Sequence, residues 1–369
     1  MRRIAYVTSL YFADESCIGG AERYTQNLAR GLVLESDGRY EVDLISFGAC
    51  PFTKPIEPGV TLHVLEAANR PKDVVDVVSW ALPAALDKAD LVHVQQSRTR
   101  CGEVAILLAK QLRKPVCATD HGAFSSAIGM EYGLPGLVDF YVAYSDFGAS
   151  LLPSGNASVR VIKGGVDASA FTPSPHPIPR DRVVFVGRLL PHKGIDRLIE
   201  AMPPDLLLSI CGKPYHAEYF ALLQRLSVDK RVEFLIDADD AAIVALYRRA
   251  WAAVLPSVHH DCYGNSHIAP ELMGLTLLEA MACGTPAVAS RLAAMPEFIR
   301  QGETGFLFDS VEELSVILSR LAEDPDSVER IGRQARSVVT SEFDIRPVGR
   351  SLIQLYDELI DARRLGKVA

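Results

Sequence analysis

The sequence predicts an α/β fold built as two parallel-sheet domains, and three features carry that prediction. Short runs rich in Val and Ile recur along all 369 residues. Most are continuous apolar runs, the pattern of strands buried on both faces. Stretches with helical spacing lie between many of them, and strand–helix alternation of this kind makes parallel sheets covered by helices. The length exceeds one ordinary core, so two domains are expected.

In the first half the strand runs are Ile4–Ser9, Val42–Phe47, Leu91–Gln95, Pro115–Thr119, Tyr141–Ser145 and Val159–Ile162. In the second half they are Val183–Val186, Leu206–Cys211, Val232–Ile236, Ala252–Pro256, Ala287–Ser290 and Gly305–Phe308. Helical spacing shows in Ala21, Tyr24, Leu28 and Leu32, in Leu198, Ile199 and Met202, and in Ile243, Leu246, Tyr247 and Ala250. The stretch Phe171–Arg180 holds four prolines in ten residues, which suits neither a helix nor a central strand. It reads as a linker between an N-terminal domain, 1–172, and a C-terminal domain, 181–345. The tail, 348–369, is helical and amphipathic through Leu352, Leu355, Tyr356, Leu359 and Ile360. Its spacing alone allows packing on either domain.

Composition narrows the function. With 49% apolar and 23% charged residues the chain is globular. A net charge of −8, widely spread, argues against nucleic acid as the main partner. The seven cysteines form no CxxC pair and their number is odd, which fits reduced thiols in a cytoplasmic protein. No apolar run approaches the roughly 20 residues of a membrane span. The segment Arg98–Lys114 carries five cations around apolar Val104–Leu108. It reads first as a solvated face, and second as a peripheral membrane contact on anionic lipid.

Five places could carry chemistry. Gly19-Gly20-Ala21-Glu22 opens a helix after the first strand, where glycines admit close backbone approach and helix amides attract anions; an ordinary strand-to-helix turn explains it equally. Gly187-Arg188 and Lys193-Gly194 span another strand-to-helix loop, and its two cations could clamp a diphosphate or be merely solvated. In Glu271-Leu-Met273-Gly274-Leu275-Thr276-Leu-Leu-Glu279, Gly274 starts a helix that Gly284 and Pro286 stop. Its carboxylates suit sugar or ribose hydroxyls, or in the simpler reading a solvated loop and a helix dipole. His121 follows a parallel strand, where open α/β sheets bind ligands, or it caps a loop. His259-His260-Asp261 and His267 have metal-binding chemistry without a zinc spacing, so a polar pocket lining is expected there.

In this order and spacing, the motifs resemble the family 4 retaining glycosyltransferases of the GT-B fold, over essentially the whole chain. The carriers are Gly19-Gly20-Ala-Glu, His121-Gly122, Lys163-Gly164-Gly165-Val166-Asp167 with Phe171, Gly187-Arg188 with Lys193-Gly194, and Glu271 and Glu279 with Gly284-Thr285-Pro286. The resemblance implies two Rossmann-like domains facing across a cleft, with the tail helix crossing back to the N-terminal one. It implies a nucleotide-sugar co-substrate, a UDP- or GDP-sugar, with no metal and no other cofactor. The acceptor would be a sugar, a lipid-linked molecule or a small molecule. Arg188 and Lys193 would hold the diphosphate, with Gly19, Gly20 and Gly187 near it. Glu271 and Met273 would face the sugar, the Gly274, Leu275 and Thr276 backbone the phosphate, and Glu279 the ribose. His121 would lie beside the reacting sugar. Catalysis is thus expected from His121, Arg188, Lys193 and Glu271. A silent GT-B scaffold, or a GT-B-like phosphorylase or epimerase, is the alternative.

The chain departs from the family at Leu272-Met273, where Gly-Phe is common, and at Lys163-Gly164, where Pro-Asn is common. The stretch Val258–Pro270 is longer than usual. It is expected to shape an acceptor or sugar pocket through Tyr263 and Asn265.

Overall fold

A computed structural model describes residues 1–9, 20–68, 76–122, 132–152 and 157–365. The chain divides into two compact units, Met1–Gly165 with Ile345–Ala369, and Val166–Asp344.

The first unit is built on an eight-stranded sheet of order β3-β4-β2-β1-β5-β6-β7-β8. Its strands are β1 Arg2–Val7, β2 Tyr40–Gly48, β3 Phe52–Glu57, β4 Val60–Glu66, β5 Leu91–Gln95, β6 Val116–Thr119, β7 Phe140–Ala143 and β8 Ser158–Val161. All pairings are parallel except β3 with β4. Ile4, Ala5, Val7, Val92, Val94, Val116 and Ala118 are fully buried, as continuous apolar runs require. β3 and β4 escaped the sequence reading. In β4 only alternate residues, Val60, Leu62 and Val64, are buried, and β3 is mostly exposed, so neither shows a continuous run.

The tail helix Ile345–Arg364 belongs to the first unit. It packs on helix Gly20–Glu35 at glycine distance. A Cβ on Gly31 would lie 2.2 Å from the Ile345 carbonyl oxygen, and one on Gly349 2.2 Å from that of Gly31. Any side chain there would force the helices apart. Asp357 on the tail accepts from Arg2, Arg39 and Tyr40 Oη. Deeper in, Tyr356 Oη lies 2.8 Å from Tyr6 Oη and 2.6 Å from His93 Nδ1, and His93 Nε2 lies 2.8 Å from Thr119 Oγ1. Burial pushes the His93 imidazole down to about 3, so the ring is neutral.

Most of the basic segment is tied down within this unit. Arg98 pairs with Asp120 and Lys110 with Asp139, both at 2.6 Å, Arg100 pairs with Asp76 at 3.8 Å, and Lys114 donates to the Asp87 and Ala89 carbonyls. The apolar side of helix Arg100–Gln111 faces the core through Cys101, Ala105 and Ile106. Among the described residues no helix is long and apolar enough to cross a membrane.

The second unit has a six-stranded, all-parallel sheet of order β11-β10-β9-β12-β13-β14. Its strands are β9 Arg182–Val186, β10 Leu207–Cys211, β11 Val232–Leu235, β12 Ala250–Leu255, β13 Ala287–Ser290 and β14 Gly305–Phe308. Helix Ile195–Ala201 buries Leu198 and Ile199, and helix Asp240–Arg248 buries Ile243, Leu246 and Tyr247, the apolar positions their spacing marked; helix Leu275–Ala282 is buried almost throughout.

The chain crosses between the units at Gly165/Val166, a few residues before the expected linker, and again at Asp344/Ile345. The proline-rich stretch is part of the second unit. Arg248 Nε donates to the Thr172 carbonyl at 2.7 Å, Arg336 to that of Phe171 at 2.7 Å, and the Phe171 ring packs on Tyr247. Proline withdraws its amide from helices and strands, but its neighbours' carbonyls still accept bonds from buried arginines. The local mark of the division is Gly164-Gly165, with φ of +103° and +111°.

Candidate functional site

In the second unit the site forms where β9 and β12 end. Gly187 and Gly212 close β9 and β10 with φ of +158° and +151°, and a Cβ on Gly212 would lie 1.8 Å from the Gly187 oxygen. A single 3-10 turn, Pro191–Lys193, follows and runs into Gly194. Gly194 has φ +63°, and a Cβ there would lie 2.1 Å from the Pro256 oxygen. The two loops therefore touch backbone to backbone, and that contact delivers Lys193 to Glu271.

Lys193 Nζ and Glu271 Oε1 form an ion pair, and Ser257 Oγ donates to the same oxygen at 2.7 Å. Glu271 is only 7% exposed, so its charge depends on those partners. The Arg188 residue is exposed, and its side chain makes no hydrogen bond or ion pair among the described residues. The predicted cations thus have different standings: one is held, and one is free.

Beside this cluster starts helix Leu275–Ala282. Gly274 is its N-cap at φ +75° and carries no capping side chain. The Leu275 and Thr276 amides are first-turn donors with no intrahelical acceptor, and the positive end of the helix dipole lies there. Met273 and Leu275 are buried, Thr276 is half-buried, and Glu279 is enclosed within the unit. At the far end Arg336 donates to the Ala282 carbonyl and Arg180 to the Gly284 carbonyl, each at 2.8 Å. Both cations complement the negative end of the dipole. Nothing local in the sequence marks Arg336, which lies 54 residues from its acceptor.

The stretch after Ser257 is a compact hairpin closed by His267 N donating to the His259 oxygen at 2.7 Å. Asp261 is its hub. Its carboxylate accepts from the Tyr263 and Asn265 amides at 2.9 and 3.0 Å and lies 2.9 Å from His267 Nε2. Burial alone would raise the Asp261 carboxyl, but the bonds from His267, Asn265 and Tyr263 outweigh it and hold it below the usual carboxylate range. The Asn265 side chain donates to Asp261 at 3.1 Å. Among the described residues no three His, Cys, Asp or Glu side chains converge as a metal-binding set.

In the first unit, Gly20 is the first residue of helix Gly20–Glu35, with open space where a Cβ would stand; Gly19 lies outside the described residues. His121 follows β6 as expected. Its Nδ1 lies 2.8 Å from Tyr144 Oη and its Nε2 3.2 Å from Gln95 Oε1, with the Tyr144 ring stacked at 5.7 Å and Tyr24 edge-on at 5.8 Å. Burial pushes His121 down to about 3, so it is a neutral hydrogen-bonding group. Around it Tyr24 Oη and Gln95 Nε2, and just past β1 Thr8 Oγ1, are buried without a hydrogen-bond partner among the described residues. Buried polar atoms are normally satisfied, so this end of the sheet has bonding capacity in reserve. The sequence reading missed Thr8, Tyr24, Gln95 and Tyr144. Tyr24 was legible only as a helix-face residue, and Gln95 only as a strand end.

Comparison with known proteins finds glycosyltransferase family models matching in both units. Residues 18–170 match the family described as Glycosyltransferase Family 4, and residues 170–338 match Glycosyl transferases group 1. The glycogen synthase of Mycobacterium tuberculosis is 27% identical over 92% of this chain and 91% of its own. A GDP-mannose-dependent phosphatidylinositol monomannoside mannosyltransferase of Mycolicibacterium smegmatis is 30% identical over 60% of this chain and 61% of its own. The structure of Anabaena HepE in complex with UDP-glucose superposes with a TM-score of 0.73 at 21% identity, covering 97% of this chain and 100% of that one.

Proposed function

From its membership of the family 4 glycosyltransferases of the GT-B fold, to which the chain belongs, we propose that it transfers a hexose-type sugar from a nucleoside diphosphate donor to an acceptor hydroxyl with retention of configuration. The observation that carries this reading is the Lys193–Glu271–Ser257 cluster beside the uncapped N-terminus of helix Leu275–Ala282.

As the glycosidic bond breaks, negative charge grows on the departing diphosphate. Lys193, Arg188 and the Leu275 and Thr276 amides stabilise that charge most where it is largest, in the transition state. Those donors take the place of a metal ion. Without donor, Glu271 neutralises Lys193; with donor, Lys193 turns to phosphate while Glu271 accepts from sugar hydroxyls and Glu279 from the ribose. In the first unit His121, neutral, is a hydrogen-bonding group suited to a hydroxyl. Retention follows from attack on the face the leaving group vacates, with the donor phosphate taking the acceptor's proton. Relatives that use GDP-mannose or were solved with UDP-glucose support UDP- and GDP-hexoses as first candidates.

The test is a panel of UDP-, GDP- and ADP-sugars. A donor at about 100 times its Kd stabilises the folded chain by about 2.7 kcal/mol, visible in a thermal melt. With that donor and an acceptor, nucleoside diphosphate is released, and the product's anomeric proton coupling matches the donor's. Release at equal rate without acceptor identifies a hydrolase, and an inverted product removes the retaining mechanism.

A further inference from the structure

The hairpin His259–His267 does more than fill a loop. It leaves the chain two residues after Ser257 and returns four residues before Glu271, so both ends adjoin the cluster that holds Lys193. Asp261 makes it rigid from within, as a buried carboxylate bound by several donors does. From this hub two ring contacts reach outward. His267 packs on His192 with centroids 5.0 Å apart, and the neighbouring Val258 amide donates to the His192 oxygen at 2.9 Å. At the tip Tyr263 stacks on His216 at 5.4 Å, and His216 Nδ1 accepts from the Tyr219 amide to cap helix Ala217–Leu226. The hairpin therefore clasps the loop after β9 and the loop after β10.

His192 directly precedes Lys193 in a turn of only three residues. The Arg188 side chain, at the other end of the same loop, has no hydrogen bond or ion pair among the described residues to hold it. Burial first, then the charges of Lys193, His267 and Arg188, push His192 down to about 3, which fits one tight cluster around a neutral ring. A short loop with one free cation gains most from an external brace, because each degree of freedom lost before binding is not lost during it.

We propose that this hairpin is a donor-positioning strap: through His267 and His192 it fixes the loop 187–194, so that Lys193 and Arg188 meet a nucleoside diphosphate already in place. The proposal rests on the reading of that loop as the diphosphate site. Asp261 and His267 are positioning residues and touch no reacting atom.

Titration calorimetry on the full chain with UDP, GDP, uridine and guanosine tests it, using Lys193→Ala, Asp261→Asn, His267→Ala and His267→Gln. The expected result is a loss of diphosphate affinity on the order of tenfold in His267→Ala and Asp261→Asn, about one charge-assisted hydrogen bond's worth. His267→Gln, whose amide can still donate to Asp261, recovers most of it, and nucleoside affinity does not move. Unchanged diphosphate affinity in both variants, with Lys193→Ala still abolishing binding, overturns the strap and leaves the donor reading standing. Equal losses for nucleoside and diphosphate also overturn it, because the hairpin would then support the whole site and not the loop. If Lys193→Ala itself binds diphosphate normally, the donor reading fails first and the strap with it. Should Asp261→Asn not fold, the His267 variants decide alone, since Asp261 keeps its donors from Tyr263 and Asn265.

Discussion

The two units place their sites at the same topological position, the carboxyl ends of central parallel strands, yet fill it with opposite electrostatics. The second unit presents charge: Lys193 against Glu271, a free Arg188, and a helix N-terminus whose cap is a bare glycine. The first presents neutral polarity: His121 held uncharged by burial, with Gln95, Tyr144 and Tyr24 around it. One suits a departing diphosphate, and the other suits hydroxyls. The topology is shared, and a few loop residues decide what each end binds.

The largest effect should come from breaking the charged side. Lys193→Ala removes the cation aimed at the leaving group and strands a buried carboxylate. Turnover should fall about 100- to 1000-fold, and urea melts should show a loss of about 3–5 kcal/mol, as for other buried pairs deprived of one partner. Lys193→Met with Glu271→Gln should recover most of that stability and none of the turnover. Full activity in the single variant would mean that charge is not what this end supplies.

Next is the backbone that aims the charge. Gly274→Ala puts a side chain at φ +75° and within 2.9 Å of Met295 Cε. A stability loss of about 1–3 kcal/mol is expected, with weaker diphosphate binding in calorimetry as the amides shift. Gly20→Ala, in the first unit, meets nothing within 4 Å. Its melting temperature should stay unchanged, which sharpens the contrast between the two helix starts.

On the neutral side, Tyr356→Phe deprives Tyr6 and His93 of their shared partner. A cost of about 1–3 kcal/mol is expected from the unsatisfied groups, read by denaturant unfolding. A value near zero would show that this buried chain of bonds contributes nothing to docking the tail helix.

A further effect is a pH dependence. His93 and His121 have folded values near 3, below the unfolded value of about 6.5. The unfolded chain therefore takes up protons first as pH falls. Their contribution is complete above pH 6.5 and is lost on acidification towards 3, at up to about 1.4 kcal/mol per pH unit for each ring. Unfolding at pH 7 and pH 5 measures it, and His93→Gln should flatten the slope. An unchanged slope would assign the acid lability to carboxylates.

Much of the fold was legible because its signals are local. Continuous apolar runs located β5, β13 and β14 to the residue, and Gly274 marked the start of helix Leu275–Ala282. The edge strand β3 and its neighbour β4 were not legible, because one is mostly exposed and the other buries only alternate residues, so neither carries a continuous apolar run. The proline-rich stretch packs within the second unit, because prolines stop secondary structure without stopping tertiary packing.

By itself, then, the sequence determined where strands end and helices begin, and which loops carry glycines and charges, because sterics and periodicity act over a few residues. Only the tertiary structure decided who meets whom. It paired Lys193 with Glu271 across 78 positions, set Arg336 under the site helix, tied Asp261 to His267 inside the hairpin, and joined the tail to the first unit through Tyr356. Partners of buried polar groups are fixed by packing and by the cost of leaving them unpaired, and neither is written in any short window of residues.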